Sequence, residues 1–142
     1  MAFSDDVRNE LARVVPAARC CRAAELSAFY DLDGMLMGTA KQYLDFTTSS
    51  PLVARKVLTL LKSLYPDITV QVLVRRSRSR RTQVCTVRVL RSSEALAVYE
   101  ELKGLAYAGS GRYLRKKCCR RAYIRGAFLS HGSITNPERT YH

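Results

Sequence analysis

One stretch of this chain occurs twice, and no other feature limits the fold as much. Cys20-Cys21-Arg22-Ala23-Ala24-Glu25-Leu26-Ser27-Ala28-Phe29-Tyr30-Asp31-Leu32-Asp33-Gly34 returns as Cys118-Cys119-Arg120-Arg121-Ala122-Tyr123-Ile124-Arg125-Gly126-Ala127-Phe128-Leu129-Ser130-His131-Gly132, with every residue shifted by 98 positions. The Cys pair, the Arg, the Ala and the closing Gly are identical. An internal repeat of this kind implies two equivalent structural units. Each copy reads as a helix of small and apolar residues that closes at a Gly in the left-handed conformation of a C-cap. Ser27, Ala28, Gly126 and Ala127 are small enough for two such helices to approach closely along one seam. Two pseudo-symmetric halves are expected, the second cut short.

With 142 residues, 47% of them hydrophobic, the chain can bury a core. Its 24 Lys and Arg against 12 Asp and Glu give a net charge of +12 and favour polyanionic partners. No apolar run approaches the length that crosses a bilayer, and the first ten residues carry acidic groups instead of a signal-peptide core. A cytoplasmic, nucleoid-associated protein is expected. Four of the five cysteines stand in adjacent pairs, which is neither the spaced framework of a secreted protein nor the C-x-x-C spacing of a zinc finger. No cofactor or metal is expected, because a buried free Cys is usually small apolar packing. If the repeated helices pack side by side, though, the four thiols meet at one end.

Along the chain, Ser4 is placed to cap a first helix with the stripe Val7, Leu11 and Val14, ended by Pro16. After the first repeated helix, residues 35–38 and 42–47 read as two strands. Ser50-Pro51 opens a helix whose face is Val53, Val57, Leu60, Leu61 and Leu64, with Arg55, Lys56 and Lys62 turned outward. Ile68, Val70, Val72 and Val74 alternate with polar residues, as do Cys85, Val87 and Val89, so two half-buried strands flank a basic hairpin. Ser92 or Ser93 then caps a helix carrying Ala95, Leu96, Tyr99 and Leu102, ending at Gly104. The order is α-β-β-α-β-β-α over residues 1–103, followed by a linker over 104–115 centred on Gly109-Ser110-Gly111. Residues 116–142 hold the start of a second half, as expected of a piece of a longer protein.

Leu26-Ser27-Ala28-Phe29-Tyr30-Asp31-Leu32-Asp33-Gly34 resembles the LAGLIDADG motif of homing endonucleases residue for residue, and Ile124 to Gly132 is its degenerate partner. The opening Phe3 to Leu11, the segment Cys20 to Leu26 and the segment Cys118 to Leu129 resemble the bacterial WhiA regulators more closely still. The resemblance implies an α+β fold, the LAGLIDADG-type αββαββα half duplicated about a pseudo-dyad with a saddle-shaped sheet. It also implies a C-terminal helix-turn-helix domain, which this sequence does not contain, and a role in transcription of sporulation and cell-division genes.

In the endonucleases, the acidic residue before each closing Gly binds a divalent ion beside the scissile phosphates. Asp33 fills that position in the first copy and His131 in the second. Imidazole is a poor ligand for Mg²⁺, so the site is read as degenerate and the chain as no enzyme. A non-catalytic domain that assists binding of double-stranded DNA follows, with Arg75, Arg76, Arg78, Arg80, Arg81 and Arg88 as phosphate contacts. The same arginines also suit docking onto an acidic protein surface, for example a sigma factor or RNA polymerase, or simple protection of a strand edge. A second basic cluster, Arg112, Arg115, Lys116, Lys117, Arg120 and Arg121, surrounds the start of the second repeated helix. Positive charge at a positive dipole end calls for an anionic neighbour.

Overall fold

The computed structural model describes residues 3–76, 83–106 and 116–132. Its elements are α1 (Phe3–Ala12), α2 (Arg19–Asp33), β1 (Gly34–Met37), β2 (Tyr43–Thr48), α3 (Pro51–Leu64), β3 (Val70–Arg76), β4 (Gln83–Val89), α4 (Ser92–Ala106) and α5 (Lys117–His131). From α2 to α4 this is the expected αββαββα order, with α1 in front and the second repeated helix, α5, behind. Ser50 caps α3 as expected, its hydroxyl accepting from the Val53 amide at 3.4 Å. Ser4, Ser92 and Ser93, expected as caps, lie inside α1 and α4. α4 also continues to Ala106, past Gly104. A glycine inside a helix costs only about 1 kcal/mol against alanine, too little to stop one. Among the described residues no helix is long and apolar enough to cross a membrane.

The four strands form one antiparallel sheet in the order β1-β2-β4-β3. Strand alternation sends Leu44 and Phe46 of β2 and Cys85, Val87 and Val89 of β4 to one buried face. There they meet Leu26 and Phe29 of α2, Leu60 and Leu61 of α3, and Leu102 of α4 in a single core. Tyr30 joins α2 to this layer through edge-on contacts with Phe46 and Tyr99, ring centroids 6.4 and 5.9 Å apart. The helices centre on β2 and β4, so the edge strand β3 is covered only in part. Val72 and Val74, expected to be buried, are 46% and 54% exposed. Alternation assigns a residue to a face; it does not say that a helix reaches that face.

The repeated helices α2 and α5 pack against each other. Gly126 marks their closest approach, since a Cβ there would stand 2.7 Å from the Glu25 carbonyl oxygen and 3.0 Å from the Ala28 Cβ. The glycines that end the two helices differ from expectation. Gly34 and Gly132 have φ of −88° and −75° with extended ψ, not the left-handed conformation. Glycine is required there by contact with the aromatic residue one turn back. A Cβ would lie 2.7 Å from the Tyr30 oxygen at Gly34 and 2.8 Å from the Phe128 Cα at Gly132. At Gly34 the chain turns straight from α2 into β1.

Lys56, expected to face outward, is 2% exposed. Its Nζ lies 2.8 Å from Glu25 Oε2 and donates to the Leu11 carbonyl at 3.2 Å and to the Val14 carbonyl. The ammonium thus makes two hydrogen bonds to carbonyls and one ion pair. Arg125 of α5 meets the other Glu25 oxygen, with both Nε and Nη2 at 2.9 Å from Oε1. The fully buried carboxylate ties α2 to α3 and α5, and the ammonium secures the end of α1. Burial pushes the Lys56 pKa down, partly opposed by Glu25. Its charge therefore costs stability at neutral pH, and that cost disappears as pH rises from the depressed value through 10.5. Glu25→Gln, which leaves a buried cation without its counter-charge, is expected to lower unfolding free energy by about 3–5 kcal/mol. Lys56→Met should cost less, because Arg125 still neutralises Glu25. Urea denaturation of the two variants checks the order.

Candidate nucleic-acid interface and helix seam

The sheet has a second, open face. Register puts Met35, Asp45, Thr86, Arg88, Gln71, Leu73 and Arg75 on it, opposite the side covered by helices. Of the predicted phosphate contacts, Arg75 and Arg88 share this face, whereas Arg76, paired with Gln83, belongs to the other. Arg78, Arg80 and Arg81 lie outside the described residues. The guanidinium of Arg88 is not free. It donates to both oxygens of Asp45 at 2.8 and 3.1 Å and stacks 4.4 Å above the Tyr43 ring, and the bond to Asp45 raises its pKa. At the centre of the open face one positive charge is thus already matched by a negative one, a pairing that cross-strand position, not sequence spacing, creates.

The two degenerate motif positions meet. His131 Nε2 and Asp33 Oδ1 are 2.9 Å apart at the carboxyl ends of α5 and α2. Only 10% of the Asp33 side chain is exposed, against 63% for His131. The seam therefore delivers both residues to the pseudo-dyad, as the repeat requires, but as a carboxylate and an imidazole bonded to each other. Two carboxylates sharing a hard cation are not what this arrangement offers. Two turns back, Tyr123 donates to Asp31 at 2.8 Å. Burial raises the Asp31 pKa and the tyrosine bond partly lowers it again.

At the opposite end of the seam, the sulfurs of Cys20, Cys21, Cys118 and Cys119 all lie within 4.8 Å of one another. Cys21 and Cys119 are buried together with Ala24 and Ala122. Burial, reinforced by neighbouring thiols, pushes Cys21 up to about 11 and Cys119 to about 12. The exposed Cys118 is lowered instead, chiefly by its contact with Cys21. The conditional expectation that four thiols would meet is met. The buried ion triad of Glu25, Lys56 and Arg125 was missed by sequence reasoning. Its signal was weak, a Glu in the middle of an otherwise small and apolar helix repeat.

The WhiA N-terminal LAGLIDADG-like domain matches residues 19–103, and the WhiA LAGLIDADG-like domain matches residues 120–142. The chain belongs to the WhiA family. It is 41% identical to the "Probable cell division protein WhiA" of Desulforamulus reducens and 38% identical to that of Heliobacterium modesticaldum, in each case over the whole chain and 47% of the relative. It spans about half the length of these curated relatives. The crystal structure of full-length WhiA from Thermatoga maritima superposes with a TM-score of 0.68 at 22% identity, covering 99% of this chain and 43% of that one. The likeness establishes the LAGLIDADG-like fold for the WhiA-type chain described here. If Arg88 is held as described, a double-mutant cycle of Arg88→Ala with Asp45→Ala in thermal or urea unfolding will show about 0.5–1 kcal/mol of favourable coupling. Coupling near zero would mean a freely solvated arginine.

Proposed function

We propose that this chain is the non-catalytic LAGLIDADG-like part of a WhiA-type regulator of transcription in sporulation and cell division. It would steady the regulator on double-stranded DNA, on the cytoplasmic nucleoid, by contacts to phosphates. The observation that carries the reading is the pairing of Asp33 with His131 at 2.9 Å. The seam is kept, but the second carboxylate needed to clamp metal ions across two scissile phosphates is replaced by an imidazole that occupies the first. A fold retained without its cutting chemistry is suited to binding. The net charge of +12 supplies attraction, and Arg75 and Arg76 lead from β3 into a segment with three further arginines in sequence. Such contacts position a protein without reading bases. Sequence readout would fall to the helix-turn-helix domain that the family resemblance implies.

A second reading has its own support. Asp45 neutralises Arg88 in the middle of the open face, and Met35 beside it is 60% exposed. A surface of that kind suits a protein partner such as a sigma factor or RNA polymerase better than a row of phosphates.

Fluorescence anisotropy with duplex DNA across a salt series separates the two. DNA binding predicts an affinity that falls with salt at a log slope of about 0.9 per phosphate contact. The variant Arg76→Ser/Arg78→Ser/Arg80→Ser should lose about two to three of those contacts from the slope. Absence of binding at low salt favours the protein partner. Plasmid incubated with Mg²⁺ should remain uncut by wild type and Asp33→Ala alike; cutting by wild type alone would restore the endonuclease reading.

A further inference from the structure

The end of the seam opposite Asp33 and His131 holds a group of side chains that neither DNA binding nor the motif explains. Cys20 and Cys21 occupy the first turn of α2, Cys118 and Cys119 the first turn of α5, and all four sulfurs lie within 4.8 Å of one another. We infer that this is a tetrathiolate site for a single thiophilic cation, with Zn²⁺ as its natural occupant, which staples the two repeated helices together.

Three observations support the site. The first is distance. A tetrahedral zinc ion with bonds of about 2.3 Å to sulfur sets its four ligands about 3.8 Å apart, so the thiols need to draw in by about 1 Å at most. A multi-iron cluster holds its thiolates farther apart than a single ion does, and hard cations prefer oxygen. The second is enclosure. Cys21 and Cys119 are buried beside Ala24 and Ala122, Cys20 is half-buried and Cys118 lies at the surface, and four protein ligands leave no open coordination position. That is the form of a structural site.

The third is charge. Four thiolates around Zn²⁺ make a centre of net charge −2. Both helices begin there without a side-chain cap, after Ala18 and Lys116, and neither has an acidic residue in its first turn. The chain instead places Arg22, Lys116, Lys117, Arg120 and Arg121 near these two positive dipole ends in sequence, beside Arg19, which pairs with Glu101 at 3.5 Å. Without an anion that arrangement is repulsive. The metal–tetrathiolate centre places a negative charge at both uncapped helix starts. The anionic neighbour that the second basic cluster calls for would be supplied by the chain's own cysteines.

The chain, purified under reducing conditions, should contain one zinc per molecule by native mass spectrometry. Replacement by Co²⁺ should give the intense visible bands of tetrahedral cobalt with a thiolate charge-transfer band in the near ultraviolet. Cys118→Ser, at the exposed ligand where packing is least disturbed, should weaken zinc binding by more than roughly tenfold, the loss that even outer-shell changes produce. Cys85→Ser, which alters the sheet and not the cluster, should leave the stoichiometry at one. Circular dichroism confirms that each variant is folded. Three results would overturn the inference: a folded, fully reduced protein that takes up no metal; the pale spectrum of octahedral cobalt; or a chain whose mass is lower by four hydrogens, which would identify two disulfides in place of the site.

Discussion

Glu25 is completely buried, and its carboxylate lies between an ammonium from α3 and a guanidinium from α5. Charges removed from water at such cost persist only when their partners are held in place. The triad therefore fixes the relation of three helices at once, and through the carbonyls of Leu11 and Val14 it fixes the end of α1 as well. Gly126 completes the constraint by letting α5 come within contact distance of the Glu25 backbone. Apolar burial supplies most of the driving force for folding, but it is non-directional. The ion triad and the glycine give the seam one register.

That register decides what happens at both ends of the two helices. At the carboxyl ends it brings Asp33 to His131; at the amino ends it brings four thiols together. In a duplicated motif both ends are geometric consequences of the same packing. The chemistry at each end can therefore change while the fold stays, and in this WhiA family member the motif's acidic pair has become an acid–imidazole pair. The sheet follows the same logic. Its covered face is core over β2 and β4, and its open face carries the Arg88–Asp45–Tyr43 group on those strands, with Arg75 nearer the edge.

Much of this was legible in the sequence. The repeat announced two equivalent helices, period-two alternation located β3 and β4, and Ser50-Pro51 marked the start of α3. The identity of the motif positions as Asp33 and His131 also came from sequence, although their hydrogen bond did not. What sequence could not supply was environment. Lys56 sits three residues after Val53 and directly before Val57, at the margin of the apolar stripe, and only the presence of Glu25 on another helix turns it inward. Val72 and Val74 alternate as core residues do, yet β3 is the edge strand and the helix layer lies over its neighbours. The closing glycines of the two motifs suggested left-handed caps, whereas close passage beside Tyr30 and Phe128 is what excludes a side chain.

Both ends of the seam depend on α5 being an integral part of the first half's fold, although ten residues, 107–116, separate it from α4 in sequence. Native-state hydrogen exchange, read residue by residue in α2 and α5, tests this most directly. Amides of α5 from Ala122 to Leu129 should be protected to the same degree as those of α2 from Ala23 to Phe29. Both sets should lose protection together in Gly126→Val, which wedges the seam apart. Exchange of α5 at the rate of an isolated helix, with α2 still fully protected, would contradict the account.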